Sequence, residues 1–165
     1  MRLQRFQILL LGLILSCSSP LKRDKEELRI CYTFYQDSLV KHQSYKLLIA
    51  HYGAIISYKY FNQIDSSKNM TFKYNIKSDV LIYSNLEMEK TKANFVKIDE
   101  LASSVFDLYE LKIPITDGWG SIMFSQDYGI LNIGDQFKPY QNLFLPTNQP
   151  EAQISQLVWG KYRNQ

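Results

Sequence analysis

The two histidines of the sequence are the first candidates for catalysis or metal binding, because imidazole acts as a general base and a metal ligand near neutral pH. His42 and His51 are nine positions apart, and this spacing places them on opposite faces of either a helix or a strand. They cannot form a local metal pair, and no cysteine pair with zinc-site spacing accompanies them. The sequence therefore predicts no metal site and no catalytic histidine.

Paired carboxylates are the next candidates, since two acids across a cleft can hydrolyse a glycosidic bond. Asp99 with Glu100 and Asp107 with Glu110 lie on a predicted exposed helix face, and Asp127 lies in a predicted hairpin loop. A solvated surface explains all of them. The chain also has no GxSxG motif, no phosphate-binding glycine loop and no HExxH. We expect no catalytic residue and no cofactor.

The segment "TDGWGS", residues 116–121, has the strongest features of a binding site. Asp117 and Gly118 form a turn signal, because glycine accepts the positive φ that tight turns need. Trp119 follows directly, and a tryptophan in a loop can stack on a sugar or anchor a protein contact. The alternative is that Trp119 folds back over the sheet as part of the core. Asp117, Gly118 and Trp119 are the predicted binding residues.

The N-terminal part of the domain shows apolar residues at helical spacing from Leu28 to Gly53, and glycine is a natural helix stop. A strand is the competing interpretation, because Leu28, Ile30, Tyr32 and Phe34 alternate with other residues. The helix is favoured because the apolar stripe continues as far as Gly53.

After Gly53 the chain becomes rich in β-branched and aromatic residues, which predicts strands in 54–64, 70–77 and 79–85 and a hairpin in 121–134. A short middle helix is predicted after Asp99, and a C-terminal helix is predicted from about Glu151. The predicted fold class is α+β: an antiparallel sheet with an N-terminal helix, a short middle helix and a C-terminal helix. A β-sandwich is the alternative.

The first residues have the layout of a secretory signal, with Arg2 and Arg5 ahead of the apolar run 6–15. The run is too short for a membrane-spanning helix, which needs about 20 apolar residues. It ends in "ILSC", residues 14–17, which resembles the lipobox of bacterial lipoproteins. The resemblance implies that residues 1–16 are cleaved and that Cys17 is acylated. Residues 17–27 would form the acylated tether, and residues 28–165 a single globular domain.

Charge argues against a nucleic-acid partner, since loss of Arg2 and Arg5 lowers the formal net charge from +3 to +1. Cys31 would then be the sole free thiol, interpreted as a small buried hydrophobic residue. Ser18 stands where the inner-membrane retention signal of enteric bacteria has Asp, so the resemblance predicts sorting to the outer membrane.

These observations predict a bacterial envelope protein that is anchored to membrane lipid through Cys17 and has no enzymatic activity. Its expected role is binding, or assistance to an envelope complex, with an unknown envelope protein or a glycan as the partner. The alternative is a small envelope hydrolase that acts on glycan or peptide.

Overall fold

The computed structural model describes residues 23–114, 120–134 and 140–163, and strands dominate them. Two single-turn 3-10 helices, Ser66–Lys68 and Asp99–Leu101, interrupt the strands. The strands are β1 (Arg23–Tyr35), β2 (Ser38–Tyr52), β3 (Ile55–Asn62), β4 (Met70–Asn75), β5 (Val80–Tyr83), β6 (Leu86–Ile98), β7 (Ser104–Leu111), β8 (Ile122–Ser125), β9 (Gly129–Ile133) and β10 (Tyr140–Pro146), and α1 (Glu151–Arg163) follows them.

The ten strands form one antiparallel sheet that closes on itself as a barrel. Each strand pairs with the next one along the chain, and β1 also pairs with β10, for example Cys31 with Phe144. Each described strand therefore has a hydrogen-bonded neighbour on both sides, although β9 and β10 pair at only two positions, Ile133 with Asn142 and Asn132 with Leu143.

The barrel interior is filled by side chains that alternate along each strand, as the period-2 geometry of a strand requires. In β3, Ile56, Tyr58 and Tyr60 are buried inside, whereas Lys59 and Phe61 are exposed. The interior is strongly aromatic: the ring centroids of Tyr58 and Phe124 are 5.2 Å apart in an edge-to-face arrangement. Such contacts hold the rings in fixed orientations and stabilise the interior.

A second core lies outside the barrel, where α1 packs against the outer surface of the sheet. Ile154, Val158 and Trp159 of the helix are buried in one cluster with outward side chains of the strands, including Phe106 and Leu143. Several strands are therefore apolar on both faces in this region. Their sequences lose the simple alternation that marks a strand with one solvated face.

The predicted N-terminal helix is wrong, because residues 28–53 form β1, β2 and the turn that joins them. The connection is Gln36–Asp37, and both residues adopt positive φ, at 46° and 66°. A two-residue hairpin turn requires this backbone conformation and usually takes it from glycine or asparagine. With neither residue present, the turn gives no signal, and apolar side chains on both faces of the two strands produce an apparent helical spacing.

The predicted middle helix is also wrong, since only Asp99–Leu101 forms a 3-10 turn before β7 begins. In β7, Phe106 and Leu108 pack in the outer core while Tyr109 lies in the inner one. Burial on both faces gives the mixed period that the sequence analysis assigned to a helix. The α+β class is thus replaced by a β-rich fold with a C-terminal helix, and the single closed sheet also contradicts the β-sandwich alternative.

Because each strand runs antiparallel to the next one along the chain, the connections between strands lie alternately at the two ends of the barrel. The tether end is defined as the end at which β1 begins, and the mouth end as the end that carries the Gln36–Asp37 turn. Because neighbouring strands are antiparallel, the 63–69 connection and the last residues of β5, β7 and β9 also lie at the mouth end.

Candidate functional site

A cavity of about 560 Å³ opens at the mouth end of the barrel. Cys31 lies in its wall together with residues of β2, β4, β5, β9 and β10 and of the 63–69 connection. Pockets of 300–1,000 Å³ are the usual size for small-molecule sites, and closed barrels commonly place such sites in their mouths. We therefore treat this space, called the mouth cavity below, as the candidate site.

The apolar wall of the mouth cavity is mainly aromatic, and its members are Tyr45, Met70, Tyr83, Ile133, Tyr140 and Phe144. Each aromatic ring of this wall contacts another ring. The ring centroid of Phe144 is 5.9 Å from that of Tyr45, the centroids of Tyr83 and Phe72 are 4.7 Å apart, and those of Tyr140 and Tyr35 are 5.0 Å apart. The wall is thus preformed rather than assembled by a ligand.

Two amide side chains bring polar groups into the mouth cavity on either side of β1. Asn142 of β10 accepts a hydrogen bond at its Oδ1 from the Thr33 hydroxyl at 2.9 Å, and the Cys31 thiol lies 3.9 Å from the same oxygen. Gln43 of β2 stands opposite Cys31 in the strand register. Among the described residues, no hydrogen bond to the Gln43 side chain is found. Its amide group is available to a ligand.

The 63–69 connection supplies the remaining polar residues of the cavity wall, namely Ser67, Lys68 and Asn69. The Lys68 ammonium group forms an ion pair with Asp65 at 2.9 Å. Hydrogen bonds from Ser67 and Lys68 lower the pKa of Asp65 to about 2, so its carboxylate stays charged beside Lys68 at neutral pH. The Asn69 side chain accepts a hydrogen bond from the backbone N–H of Asn62 at 2.8 Å, which fixes its position.

The ionisable groups deep in the mouth cavity are neutral near pH 7. Burial raises the pKa of the Cys31 thiol to about 12, and burial also raises the pKa of Tyr45. A thiol acts as a nucleophile only as the thiolate. Cys31 is therefore a free, buried thiol that supplies no reactive anion to this site.

The tether end, by contrast, is filled by polar contacts. Asp79 accepts hydrogen bonds from the hydroxyls of Tyr109 at 2.7 Å and Tyr74 at 2.9 Å, and its second oxygen lies 2.9 Å from Lys90 Nζ. Lys90 also contacts Asp107 at 2.6 Å. This ionic cluster holds β4, β6 and β7 together, and its groups satisfy one another.

Arg29 is the second polar feature of the tether end, and its side chain is buried. Its Nη2 donates to the Glu27 carboxylate and to the Tyr128 carbonyl, and its guanidinium carbon lies 3.7 Å from the centre of the Tyr128 ring. The Nε and Nη1 atoms have no hydrogen-bond partner among the described residues. We interpret this arginine as a structural contact between β1 and the β8–β9 turn.

Four of the residues singled out by the sequence analysis cannot be placed in the site. Cys17, Asp117, Gly118 and Trp119 lie outside the described residues. The next residue after the last three, Gly120, lines the mouth cavity.

Both histidines lie on β2 and are exposed; His42 contacts the Tyr32 ring on the outer side of the barrel, with centroids 6.4 Å apart. Three of the carboxylates considered for hydrolysis have partners of their own. Asp99 pairs with Lys97, Glu100 accepts from Gln153, and Asp107 belongs to the ionic cluster of the tether end.

Two searches of the described residues give negative results. No group of three or more His, Cys, Asp or Glu side chains in this part of the chain could hold a metal ion. None of the helices described here has both the length and the apolar character needed to span a bilayer.

Comparisons of the chain with protein-family models, with curated proteins and with solved structures find no match. The assignment of the site therefore depends on its geometry.

Proposed function

We propose that this chain is a lipid-anchored protein of the bacterial envelope whose barrel binds a small, partly apolar molecule in the mouth cavity, without catalysing a reaction. The observation that carries the proposal is the cavity itself, about 560 Å³ in volume, with a preformed aromatic wall and a few fixed polar groups. This combination is typical of ligand pockets.

The anchor and the mouth cavity lie at opposite ends of the proposed arrangement. Cys17 precedes β1, which begins at Arg23 at the tether end. A fully extended segment between these residues reaches at most about 20 Å, at 3.3–3.6 Å per residue. Acylated Cys17 would therefore keep the tether end near the membrane, and the mouth cavity would open towards the aqueous compartment.

The contents of the cavity support binding over catalysis. The Cys31 thiol is neutral, both histidines lie elsewhere on β2, and Lys68 is paired with Asp65. A general base or a nucleophile needs a pKa near the working pH and a partner that activates it. The described cavity wall offers hydrogen bonds and rings instead.

Fluorescence of 1-N-phenylnaphthylamine, an uncharged apolar dye, would test the binding function with residues 18–165. We expect saturable binding of one dye per chain. Gln43→Trp should abolish dye binding, because the larger tryptophan side chain would fill the cavity that Gln43 lines. The substitution breaks no side-chain hydrogen bond to the described residues, since Gln43 makes none. His42→Trp is the matched control: it makes the same change at the neighbouring residue, on the outer face of the same strand, and should leave binding intact. Equal binding by both folded variants would contradict the proposal.

Metabolic labelling with a radioactive fatty acid would test the anchor in the full-length chain. Cys17→Ala should abolish the label and leave an unprocessed precursor or a protein released from membranes. The Cys31→Ala variant controls for acylation of the other cysteine and should keep the label. Acylation that persists in Cys17→Ala would rule out anchoring through this residue.

A further inference from the structure

The rings of the mouth cavity lie on facing walls. Tyr140 and Phe144 belong to β10 and Tyr83 belongs to β5, and these two strands are half-way round the ten-stranded barrel from each other. Each wall is backed by a further ring, Phe72 behind Tyr83 and Tyr60 behind Phe144, with centroid distances of 4.7 Å and 5.4 Å. A space between fixed aromatic faces favours a flat ring over a flexible chain, because stacking needs little adjustment of the wall.

The described residues of the mouth cavity provide no free counter-charge for an ionic ligand. Lys68 is the charged residue among the described residues that line it, and Asp65 already neutralises it at 2.9 Å. The Cys31 thiol and the Tyr45 hydroxyl are uncharged near neutral pH because burial raises the pKa of both. A charged ligand would lose its hydration without gaining a partner, which is strongly unfavourable.

The two amides that flank β1 both have an NH₂ group with no hydrogen bond to the described residues, so each can donate to a ligand in the cavity. Oδ1 of Asn142 is occupied by the Thr33 hydroxyl and the Cys31 thiol, which leaves the Nδ2 group of Asn142 to donate. Gln43, across β1, contributes a second amide that has no hydrogen bond within the described part of the chain. Two amide donors on either side of one strand are complementary to a carbonyl oxygen, which has two lone pairs.

From these three features we infer that the mouth cavity selects uncharged aromatic carbonyl compounds, with the ring between β5 and β10 and the carbonyl oxygen between Gln43 and Asn142. The inference rests on the proposed binding function and names the ligand class for the same site. A long-chain fatty acid fits it poorly, because the described residues offer its carboxylate no free cation and its chain makes no stacking contact.

Displacement of 1-N-phenylnaphthylamine from residues 18–165 by three naphthalenes of nearly equal shape would test the inference. 2-Acetylnaphthalene carries a neutral carbonyl, 2-isopropenylnaphthalene replaces the oxygen by a CH₂ group, and 2-naphthoate adds a charge. We expect the ketone to displace the dye at a concentration about five- to tenfold lower than either analogue, since one hydrogen bond is worth about 1 kcal/mol. Dodecanoate should displace it poorly.

Amide variants would locate the carbonyl contact. Gln43→Leu and Asn142→Leu should each reduce the advantage of the ketone over the isopropenyl analogue while the dye still binds. Gln63→Leu is the matched control: Gln63 is exposed at the mouth end, and within the described part of the chain its side chain bonds the Phe61 carbonyl alone, so the advantage should persist.

The possible failures are distinguishable. Absence of dye binding to the unsubstituted chain would contradict the proposed function itself. Dye binding with preferential displacement by 2-naphthoate or dodecanoate would leave the binding function standing and overturn the ligand class. If the ketone still displaces the dye better than the isopropenyl analogue in both amide variants, the inference is also overturned, because neither amide then binds the carbonyl oxygen.

Discussion

The Tyr60 hydroxyl accepts a hydrogen bond from the backbone N–H of Ile130 at 2.8 Å, and it lies directly over the neighbouring residue, Gly129. The bond joins β3 to the start of β9 across the barrel interior. A Cβ atom added at Gly129 would stand 2.7 Å from the Tyr60 oxygen, closer than atoms can approach without movement. The close contact requires glycine at this position, and so does its φ of +88°.

Gly129→Ala should therefore destabilise the barrel by about 2 kcal/mol or more, from backbone strain and from displacement of Tyr60. Urea denaturation of residues 18–165 measures this change. Gly160→Ala provides the matched control within α1, where a Cβ meets nothing within 4 Å. It should stabilise the chain by about 0.5–1 kcal/mol, because alanine favours a helix over glycine. Similar effects of the two substitutions would contradict the packing described for Tyr60.

The ionic cluster at the tether end should contribute less to the free energy of unfolding in acid than at neutral pH. Burial by itself would raise the pKa of Asp79, but hydrogen bonds from Lys90, Tyr109 and Tyr74 together hold it below its usual value of 3.8. A carboxyl group with a lowered pKa stabilises the folded state above its unfolded pKa, and the contribution disappears as the pH falls through the folded value. Stability from Asp79 should thus be complete near pH 5 and decline below about pH 4.

Asp79→Asn should flatten the dependence of unfolding free energy on pH below about 4, and it should lower stability at pH 7 because Lys90 loses one of its two carboxylate partners. Urea denaturation at a series of pH values would show both effects. Glu110→Gln, at an exposed position of β7, should leave the dependence of unfolding free energy on pH as it is in the unsubstituted chain. If the unfolding free energy of Asp79→Asn falls below about pH 4 as steeply as that of the unsubstituted chain, protonation of Asp79 is not the cause of the acid destabilisation.

Cys31 should resist alkylation in the folded chain. Because burial raises the pKa of its thiol to about 12, the thiolate fraction at pH 8 is small and the sulfur is poorly accessible. Iodoacetamide should react with native residues 18–165 about a thousandfold more slowly than with the chain unfolded in guanidinium chloride, since the thiolate is the nucleophile. Rapid labelling of the native chain would show that the mouth cavity admits solvent to Cys31 and that the thiol is not held neutral.

The strands that are rich in β-branched and aromatic residues could be predicted from the sequence, and the barrel could not. The predicted strands in 54–64, 70–77 and 79–85 contain β3, β4 and β5, because such residues favour an extended backbone. The sequence predicts a helix over β1 and β2 because the apolar stripe continues as far as Gly53, and the turn between these strands, Gln36–Asp37 at positive φ, contains no glycine that would mark it. Pairing of β1 with β10 closes the sheet, and no local pattern specifies contacts between residues so far apart in sequence.

The mouth cavity could not be predicted from the sequence for a related reason. Cys31, Gln43 and Asn142 meet only through the registers of β1 with β2 and β10, and each alone is an ordinary strand residue. Nothing local distinguishes the rings that fill the core, such as Tyr58, from those that line a cavity, such as Tyr83.

Truncation to alanine should change the unfolding free energy strongly at Trp159 and little at Trp119. Trp159 of α1 is buried in the outer core, where its ring meets Phe34 edge-to-face at a centroid distance of 5.5 Å. Trp159→Ala should cost about 3–5 kcal/mol of unfolding free energy, because a large buried ring leaves a cavity. Trp119, the predicted binding residue, lies outside the described residues but directly precedes Gly120, which lines the mouth cavity.

For the binding role that the sequence predicts for Trp119, Trp119→Ala should change the unfolding free energy by no more than about 0.5 kcal/mol while it weakens binding of 1-N-phenylnaphthylamine. Urea denaturation and dye titration on the same protein samples would separate the two effects, with Trp159→Ala as the reference for a buried ring. A loss of stability as large as that of Trp159→Ala would assign Trp119 to the core and end its assignment as a binding residue. Unchanged stability with unchanged dye affinity would likewise exclude Trp119 from the binding site.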